Sequence, residues 1–212
     1  MMIAISYSES TNKYIEAQLI DLNNFNWDSD DNSSLRKEIR DYYRKQQKGT
    51  CSYCKQMVSI VYASDCHIEH IAPKSLHPEY IFEPLNSCII CSDCNQIKRN
   101  QETIGTMPDT IKKKHKRNYP NKSEDFYIVH PHFDNYEDHI IIVNGLYIDK
   151  DSKKGNFTIG ACRLNRRLGL VGWEPEVVDE SDLISDFSDF ISEKSNTKKF
   201  KLLEKIKRKL FF

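Results

Sequence analysis

Two Cys-x-x-Cys motifs restrict what this chain can fold into more than any other feature of its 212 residues. Cys51 and Cys54 form the first pair, and Cys91 and Cys94 form the second. Each pair makes a tight turn that directs two sulfurs at one point, and two such turns complete a closed tetrahedral zinc site. A closed site leaves no open position for water or substrate. We therefore expect a structural zinc ion that joins the two ends of the intervening segment.

The fourth ligand of this zinc site is open from the sequence alone. The stretch CIICSDC places Cys88, Cys91 and Cys94 at equal spacing, so Cys88 can take the place of Cys94. Cys66 and Cys162 are most simply interpreted as buried apolar residues. The total of seven cysteines is odd, which favours metal binding over a framework of disulfides.

The composition indicates a cytoplasmic protein without a membrane span. The opening MMIAISYSES lacks the basic flank and apolar run of a secretory signal. No stretch approaches the roughly 18 consecutive apolar residues that a membrane helix needs. Cysteines stay reduced in the cytoplasm, where paired Cys-x-x-Cys motifs indicate metal. With a mean hydropathy of −0.64, the chain has few apolar residues for a large core, and zinc would stabilise a loop-rich segment.

Charged residues are segregated into blocks, although 31 basic and 31 acidic side chains balance. Residues 98–122 carry eight Lys or Arg against two acids, and residues 174–193 carry eight acids and no Lys or Arg. Residues 194–212 carry eight Lys or Arg against one Glu. A polyanion responds to a local basic patch rather than to the net charge, so nucleic acid is an admissible partner. Solvated faces account for such blocks equally well.

The pattern along the chain predicts an α+β fold with three regions. Residues 1–48 form an N-terminal helical extension, residues 49–120 form the cysteine-rich core, and residues 121–212 form a C-terminal hairpin and helical region. The core contains two strand-like runs, VSIVYA and HIEHIA, and the helical stretch CNQIKRNQET.

Helix and turn signals lie on both sides of this core. SSLRKEIRDYYRKQQKG is a helix in which Leu35 and Ile39 share one face, Ser33 or Ser34 is the cap, and Gly49 is the end. Further on, HIIIV and LYIDK flank Asn-Gly, the strongest short hairpin signal. FTIGACRLNRRLGL is predicted to form one helix.

The last stretch of the chain, KKFKLLEKIKRKLFF, is predicted to be a basic amphipathic helix. Leu203, Ile206 and Leu210 lie on its apolar face. This helix either packs against the acidic run 174–193 or docks its apolar face into a groove of a partner protein.

Polar residues of catalytic type lie between the two cysteine pairs and just beyond them. His67, Glu69 and His70 stand close together in HIEHIAPKS, Asn86 follows, and Asn95 comes directly after the last cysteine. This ensemble, IEHIAPKS followed by LNSCIICSDCNQIK, resembles the HNH endonuclease family, in a form whose third letter is Asn and whose fold is framed by a zinc ribbon. The resemblance implies a ββα-metal core, in which two short strands and a helix hold one divalent ion.

Phosphodiester hydrolysis gives each of these residues a role. The reaction needs a base for water and a cation that neutralises charge on the phosphate. His70 suits the base because imidazole is available in its neutral form near pH 7, and Glu69 offers a hard oxygen ligand for Mg²⁺ or Mn²⁺. By resemblance, Asn95 adds a second oxygen ligand, and Asn86 braces the loop and orients the base. His67 alternates with Glu69 along a strand and is a candidate third ligand.

Two basic residues of the expected helix are placed to meet phosphate. Lys98 and Arg99 follow Asn95 by three and four positions, on nearly the same helix face. We expect both to contact nucleic acid, and the family resemblance alone favours DNA over RNA.

A second, less specific resemblance involves the C-terminal region. Residues 127–143, YIVHPHFDNYEDHIIIV, carry histidines whose spacing fits no tight metal site, so we expect structural or surface roles for them. Together with the hairpin and TIGACRLNRRL, this stretch resembles the PtuB-type nucleases of Septu anti-phage systems. That resemblance implies an ATPase partner. No G-x-x-x-x-G-K-[ST] phosphate loop occurs in these 212 residues, so we expect nucleotide sensing to come from the partner.

Two other functions compete with a nuclease. His67-x-Glu69 followed by Cys88-x-x-Cys91 is similar to the zinc deaminase signature, but Ser87 stands where that signature has Pro. The second alternative is a catalytically inactive zinc-ribbon module that binds nucleic acid or protein.

Overall fold

The computed structural model describes residues 2–103, 105, 109–112, 118–171 and 180–211. Within these residues it is an α+β structure with seven α-helices and two separate two-stranded antiparallel sheets. None of the described helices is both long enough and apolar enough to cross a lipid bilayer.

The chain divides into two compact units. The first comprises Met1–Ile140 and Asp149–Leu164, and the second comprises Ile141–Ile148 and Asn165–Phe212. Residues 48 and 120, the expected region boundaries, both fall inside the first unit. The N-terminal helix Ser33–Gln46 packs against the strands of the cysteine-rich segment. The N-terminal extension is therefore part of the same core.

Two helices form the N-terminal part of the first unit. Helix α1 spans Glu9–Leu19, and helix α2 spans Ser33–Gln46. The α2 side chains Leu35, Ile39 and Tyr43 are buried, as the helical periodicity predicted. The Tyr43 hydroxyl donates to the carbonyl of Pro84 at 2.7 Å, so α2 is attached to the segment that carries the catalytic candidates.

The ends of α2 differ in detail from the sequence prediction. Ser33 and Ser34 lie inside the helix rather than at its cap, because a 3-10 turn over Asp30–Asn32 leads directly into it. Gly49 follows the helix with φ of +68°, and its amide donates to the Arg44 carbonyl at 2.9 Å. This left-handed glycine closes the C-terminus, as predicted.

A short hairpin and a helix form the centre of the first unit. Strand β1 (His67–His70) pairs antiparallel with β2 (Ser87–Ile90), and helix α3 (Ser92–Thr103) follows at once. In this register Glu69 lies opposite Cys88. Strand β2 is buried along its whole length because α2 packs on the hairpin.

The run VSIVYA is not a strand, contrary to the sequence prediction. Met57 pairs with Thr50 in a single bridge, and the chain then leaves any sheet. The Ser59 hydroxyl accepts from the amides of Val61 at 3.2 Å and Tyr62 at 2.8 Å. This local turn replaces ladder hydrogen bonds and leaves the side chains of Val61 and Tyr62 exposed.

The second hairpin matches its prediction. Strand β3 spans Ile140–Val143, and strand β4 spans Leu146–Asp149. The two connecting residues, Asn144 and Gly145, both have positive φ, at 48° and 78°. This is the backbone of the two-residue turn that Asn-Gly favours.

The stretch predicted to be one helix forms two. Helix α4 spans Lys153–Ala161, and helix α5 spans Arg166–Val171. Arg163 has a φ of 43°, which no continuous helix accommodates. The side chain of Asn165 also hydrogen-bonds with the amide and the carbonyl of Tyr147 on β4, at 2.8 Å each. These bonds hold Asn165 against the hairpin, between the two helices.

The acidic and basic runs near the C-terminus form two helices of the second unit that pack together. Helix α6 spans Glu180–Ser192, and helix α7 spans Asn196–Phe211. Lys205 Nζ lies 2.7 Å from Asp186 Oδ1, and Ile206 is buried. The first of the two expected arrangements of α7 therefore holds for this face. Residues 172–179 and the side chain of Leu210 lie outside the described part of the chain.

Candidate functional site

The four cysteines of the paired motifs meet at one point. The sulfurs of Cys51, Cys54, Cys91 and Cys94 all lie within 4.8 Å of one another, and all four residues are buried. Cys54 Sγ and Cys91 Sγ are 3.6 Å apart. Tetrahedral zinc–sulfur bonds of about 2.3 Å separate the sulfurs by about 3.8 Å. This cluster can therefore hold a zinc ion, and it joins the segment before β1 to the N-terminus of α3.

Cys88 is not part of the cluster, which settles the open choice in favour of Cys94. Cys88 lies on β2, fully buried. Burial, together with the negative charge of Glu69, raises the pKa of its thiol to about 12, which disfavours the thiolate that a metal needs. Cys91 belongs to the four-cysteine cluster, so the deaminase grouping with His67 is not formed by these residues.

His70 ends β1 as a buried residue with a defined tautomer. Its Nε2 lies 3.1 Å from the carbonyl oxygen of Ile81, and because a carbonyl only accepts, Nε2 carries the proton. Burial, together with the nearby charge of Lys74, lowers the pKa of His70 to about 3. The ring is therefore neutral, and its unprotonated Nδ1 is an acceptor to which no described residue donates.

Trp27 and Ile81 support this ring, and neither was predicted from the sequence. The Trp27 indole meets the His70 ring edge-on, with 4.5 Å between ring centroids. Trp27 lies in an acidic, Asn-rich stretch with the pattern of a loop, and Ile81 acts through its backbone. Neither position carries a local sequence signal, because both contacts form only when distant segments fold together.

Asn86 braces the loop after β1. Its Nδ2 donates to the carbonyls of Ala72 at 3.2 Å and Tyr80 at 3.0 Å, and its Oδ1 accepts from the Ala72 amide at 2.7 Å. Asn86 is fully buried. Because Tyr80 directly precedes Ile81, these hydrogen bonds also hold the loop that carries the carbonyl to which His70 donates.

Glu69 is buried and already holds a cation. Lys98 Nζ lies 2.7 Å from Glu69 Oε1, and the hydroxyl of Tyr53 lies 3.2 Å from the same oxygen. Lys98 is only 2% exposed. The structure thus places Lys98 against a carboxylate inside the protein, whereas the sequence predicted a contact with phosphate.

The other candidate residues lie on the same strand and helix as this pair. Asn95 is half-buried on α3, one turn before Lys98, and Arg99 is exposed on the same helix. His67 begins β1, and its Nε2 lies 3.0 Å from the carbonyl of Ser64, so Nε2 donates there. The alternation of the strand places His67 on the same face as Glu69.

The histidine-rich stretch after residue 127 forms a buried polar network. The amide of His132 donates to His130 Nδ1 at 3.2 Å, and His130 Nε2 meets the Tyr119 hydroxyl at 2.9 Å. Asp134 accepts from Lys154 and from the amide of His130. The ring nitrogens of His130 and the carboxylate of Asp134 thus take part in buried hydrogen bonds.

Comparisons with known proteins do not identify the function of this chain. The chain matches no family model, no curated protein and no solved structure. Residues 113–117, the densest part of the basic run, lie outside the described residues. The functional assignment therefore depends on the arrangement of His70, Glu69 and their supports.

Proposed function

We propose that this chain is a metal-dependent endonuclease of the HNH type that hydrolyses phosphodiester bonds, with DNA favoured as the substrate by family resemblance. One observation carries the proposal. His70, a histidine whose Nε2 donates to a carbonyl and whose Nδ1 is unprotonated, directly follows Glu69, a carboxylate that pairs with an ammonium group, along β1. This combination provides a base and a cation site at adjacent positions.

His70 is suited to accept the proton of the attacking water. A general base must be neutral, must have a free lone pair and works best with a pKa near the working pH. The proton on Nε2 reserves Nδ1 for this purpose, whereas burial, which lowers the pKa of the ring to about 3, makes His70 a weak base. The carbonyl of Ile81 fixes the ring plane and stabilises positive charge on the imidazole once Nδ1 has taken a proton. Asn86 acts indirectly, because it holds the loop that carries the Ile81 carbonyl.

The proposed donor set for a hard divalent ion consists of Glu69, Asn95 and His67. Glu69 offers carboxylate oxygens and Asn95 offers an amide oxygen, which are ligand types that Mg²⁺ or Mn²⁺ accepts. The imidazole of His67 is a ligand type that suits zinc, copper, iron or nickel better. An ammonium group 2.7 Å from Glu69 Oε1 indicates that this carboxylate stabilises positive charge. When bound there, the ion would neutralise charge that builds up on the phosphate.

One observation favours a second function, a catalytically inactive zinc-ribbon module that binds nucleic acid or protein. The Lys98–Glu69 pair already neutralises the carboxylate, and a permanent pair of this kind would leave the divalent ion no ligand. The exposed apolar loop around Val61 and Tyr62 offers such a module a contact surface. An ATPase partner and a role in anti-phage defence stay predictions from resemblance.

Cleavage of plasmid DNA tests the proposal. We expect zinc-loaded full-length protein to nick or linearise supercoiled plasmid in the presence of Mg²⁺ or Mn²⁺, and EDTA to stop the reaction. His70→Ala should abolish cleavage, whereas His139→Ala, which removes a histidine outside the site, should retain it. Absence of cleavage of plasmid, single-stranded DNA and RNA by the wild type, with either ion, would favour the inactive module.

A further inference from the structure

Two lysine–carboxylate pairs are buried in the first unit, and they differ in their surroundings. Lys98 pairs with Glu69, and Lys154 pairs with Asp134. In both, side-chain exposure of the two partners is 12% or less. Taking opposite charges out of water is costly unless each is well compensated. Each of the two buried ion pairs must therefore be compensated by its surroundings or have a function.

The Lys154–Asp134 pair is a structural node. Asp134 also accepts from the hydroxyl of Ser123 and from the amide of His130 at 2.6 Å. These donors come from separate segments and fasten the loop around Asp134 to α4, which carries Lys154. Asp134 therefore accepts from a backbone amide, a hydroxyl and an ammonium group that belong to three segments. Glu69 accepts from the ammonium group of Lys98 and from the Tyr53 hydroxyl.

The Lys98–Glu69 pair lies in the candidate active site. Glu69 directly precedes His70 on β1, and Lys98 lies one turn after Asn95 on α3. The ammonium group thus occupies a carboxylate oxygen that the proposed function assigns to a divalent ion. An ammonium and a divalent ion at one oxygen repel each other strongly inside a protein, so both cannot hold Glu69 in this arrangement.

We infer that Lys98 is a resident counter-ion of Glu69, which a divalent ion displaces when it binds. This inference rests on the proposed function, since it concerns the same carboxylate. Without the divalent ion, the ammonium group keeps the buried carboxylate neutralised. On metal binding, the long side chain of Lys98 releases Glu69 and carries its charge outward, towards the position of an anionic substrate. The side chain of Lys98 then has two positions: in one it pairs with Glu69, and in the other it makes the predicted contact with phosphate.

Mn²⁺ binding to a neutral variant tests the exchange directly. We expect Lys98→Met to bind Mn²⁺ about tenfold more tightly than the wild type, or tighter still, a difference of about 1.4 kcal/mol. The measurement is a titration of zinc-loaded full-length protein without nucleic acid, with free Mn²⁺ followed by electron paramagnetic resonance. Lys154→Met is the matched control, because it also removes a buried ammonium but should leave Mn²⁺ affinity unchanged. Equal or weaker Mn²⁺ binding by Lys98→Met overturns the inference.

A labelling experiment on the wild type needs no variant to fold. Acetylation by an amine-reactive ester, followed by mass spectrometry, reports how accessible each lysine is. Saturating Mn²⁺ should raise the acetylation rate of Lys98 by about tenfold or more relative to that of Lys154, which serves as the internal reference. An unchanged ratio shows that Lys98 stays on Glu69 and rejects the exchange.

The outcomes separate this inference from the proposed nuclease activity. Tighter Mn²⁺ binding by Lys98→Met without cleavage by any form of the protein supports the counter-ion role and rejects the nuclease. Cleavage by the wild type with no change in Mn²⁺ affinity or in Lys98 labelling supports the nuclease and rejects the counter-ion role.

Discussion

The hydroxyl of Tyr53 lies 3.2 Å from Glu69 Oε1, and both residues are buried. Tyr53 stands between Cys51 and Cys54, so the first turn of the four-cysteine cluster also presents a hydrogen-bond donor to the candidate site. A tyrosine hydroxyl that meets a carboxylate donates its proton to it. The side chain of Tyr53 therefore joins the four-cysteine cluster to the proposed catalytic carboxylate.

Tyr53→Phe should weaken cleavage while the protein keeps its zinc. Loss of one hydrogen bond to a charged group costs about 1.5–3 kcal/mol, so we expect cleavage to fall by about tenfold or more as Glu69 loses its fixed orientation. Cleavage rate, zinc content and melting temperature are measured together. Tyr42→Phe is the matched control, since it removes a hydroxyl that donates to the carbonyl of Ala4, away from Glu69. Equal rates for the wild type and Tyr53→Phe would show that the hydroxyl does not position Glu69.

Substitution of two cysteines should distinguish ligands from neighbours. Cys94→Ser removes a ligand from a site whose metal-binding energy, about 10 kcal/mol in small zinc domains, is also folding energy. We expect that variant to be insoluble or zinc-free. Cys88→Ser should retain one zinc per chain, because Cys88 lies outside the cluster. Metal analysis of the purified proteins checks both, and zinc loss in Cys88→Ser would contradict the ligand set.

Asn86 and Asn95 should differ in what their loss affects. Asn86→Ala leaves buried partners on Ala72 and Tyr80 unsatisfied, at about 1–3 kcal/mol for each group. We expect a large fall in the free energy of unfolding, measured with urea. Asn95→Ala removes a half-buried side chain and should change stability by less than about 1 kcal/mol, yet abolish cleavage. The reverse pattern would exchange the roles assigned to the two residues.

Acidification should destabilise the protein in part through His130. Burial, aided by the charges of His132 and Lys154, lowers the pKa of His130 well below its usual value. The neutral ring is favoured in the fold, so its contribution to stability is complete above about pH 6.5 and is lost as the pH falls, at no more than about 1.4 kcal/mol per pH unit.

The variant His130→Gln removes this titration. Urea unfolding between pH 7.5 and 5.5, with zinc content checked at each pH, should show a decline that is shallower by about 1 kcal/mol in the variant. The comparison of slopes separates titration from the hydrogen bonds that the variant also loses, because those do not change over this range. If the free energy of unfolding fell equally with pH in the wild type and the variant, His130 would not contribute to the acid sensitivity.

The packing of α7 on α6 should depend on Ile206 and not on Leu203. Ile206 is buried, whereas Leu203 is 46% exposed. Truncation of a buried Ile to Ala costs about 2–5 kcal/mol, so Ile206→Ala should remove hydrogen-exchange protection from both helices. Leu203→Ala should leave that protection nearly unchanged. If Leu203→Ala also removed it, the exposed side of α7 would be part of the fold.

The paired cysteines, the Asn-Gly hairpin and the helices α2, α3 and α7 could all be predicted from the sequence. Each depends on short-range chemistry: the spacing of two thiolates on one turn, a backbone that only certain residues adopt, or apolar residues repeated at helical period. The prediction was wrong where the rest of the fold does not use the apolar pattern as a regular strand or helix. VSIVYA formed an exposed loop, and the single helix predicted near Arg163 divided in two.

The candidate site shows the same division between sequence and structure. The residue types around His70 and Glu69 were evident in sequence, since the spacing and the chemistry of the side chains are local. Tertiary structure alone decided that Cys94 and not Cys88 joins the cluster, that the carbonyl of Ile81 selects the tautomer of His70, and that Lys98 turns inward onto Glu69. Each of these depends on which distant segment fills the space beside a side chain, and no spacing along the chain encodes that.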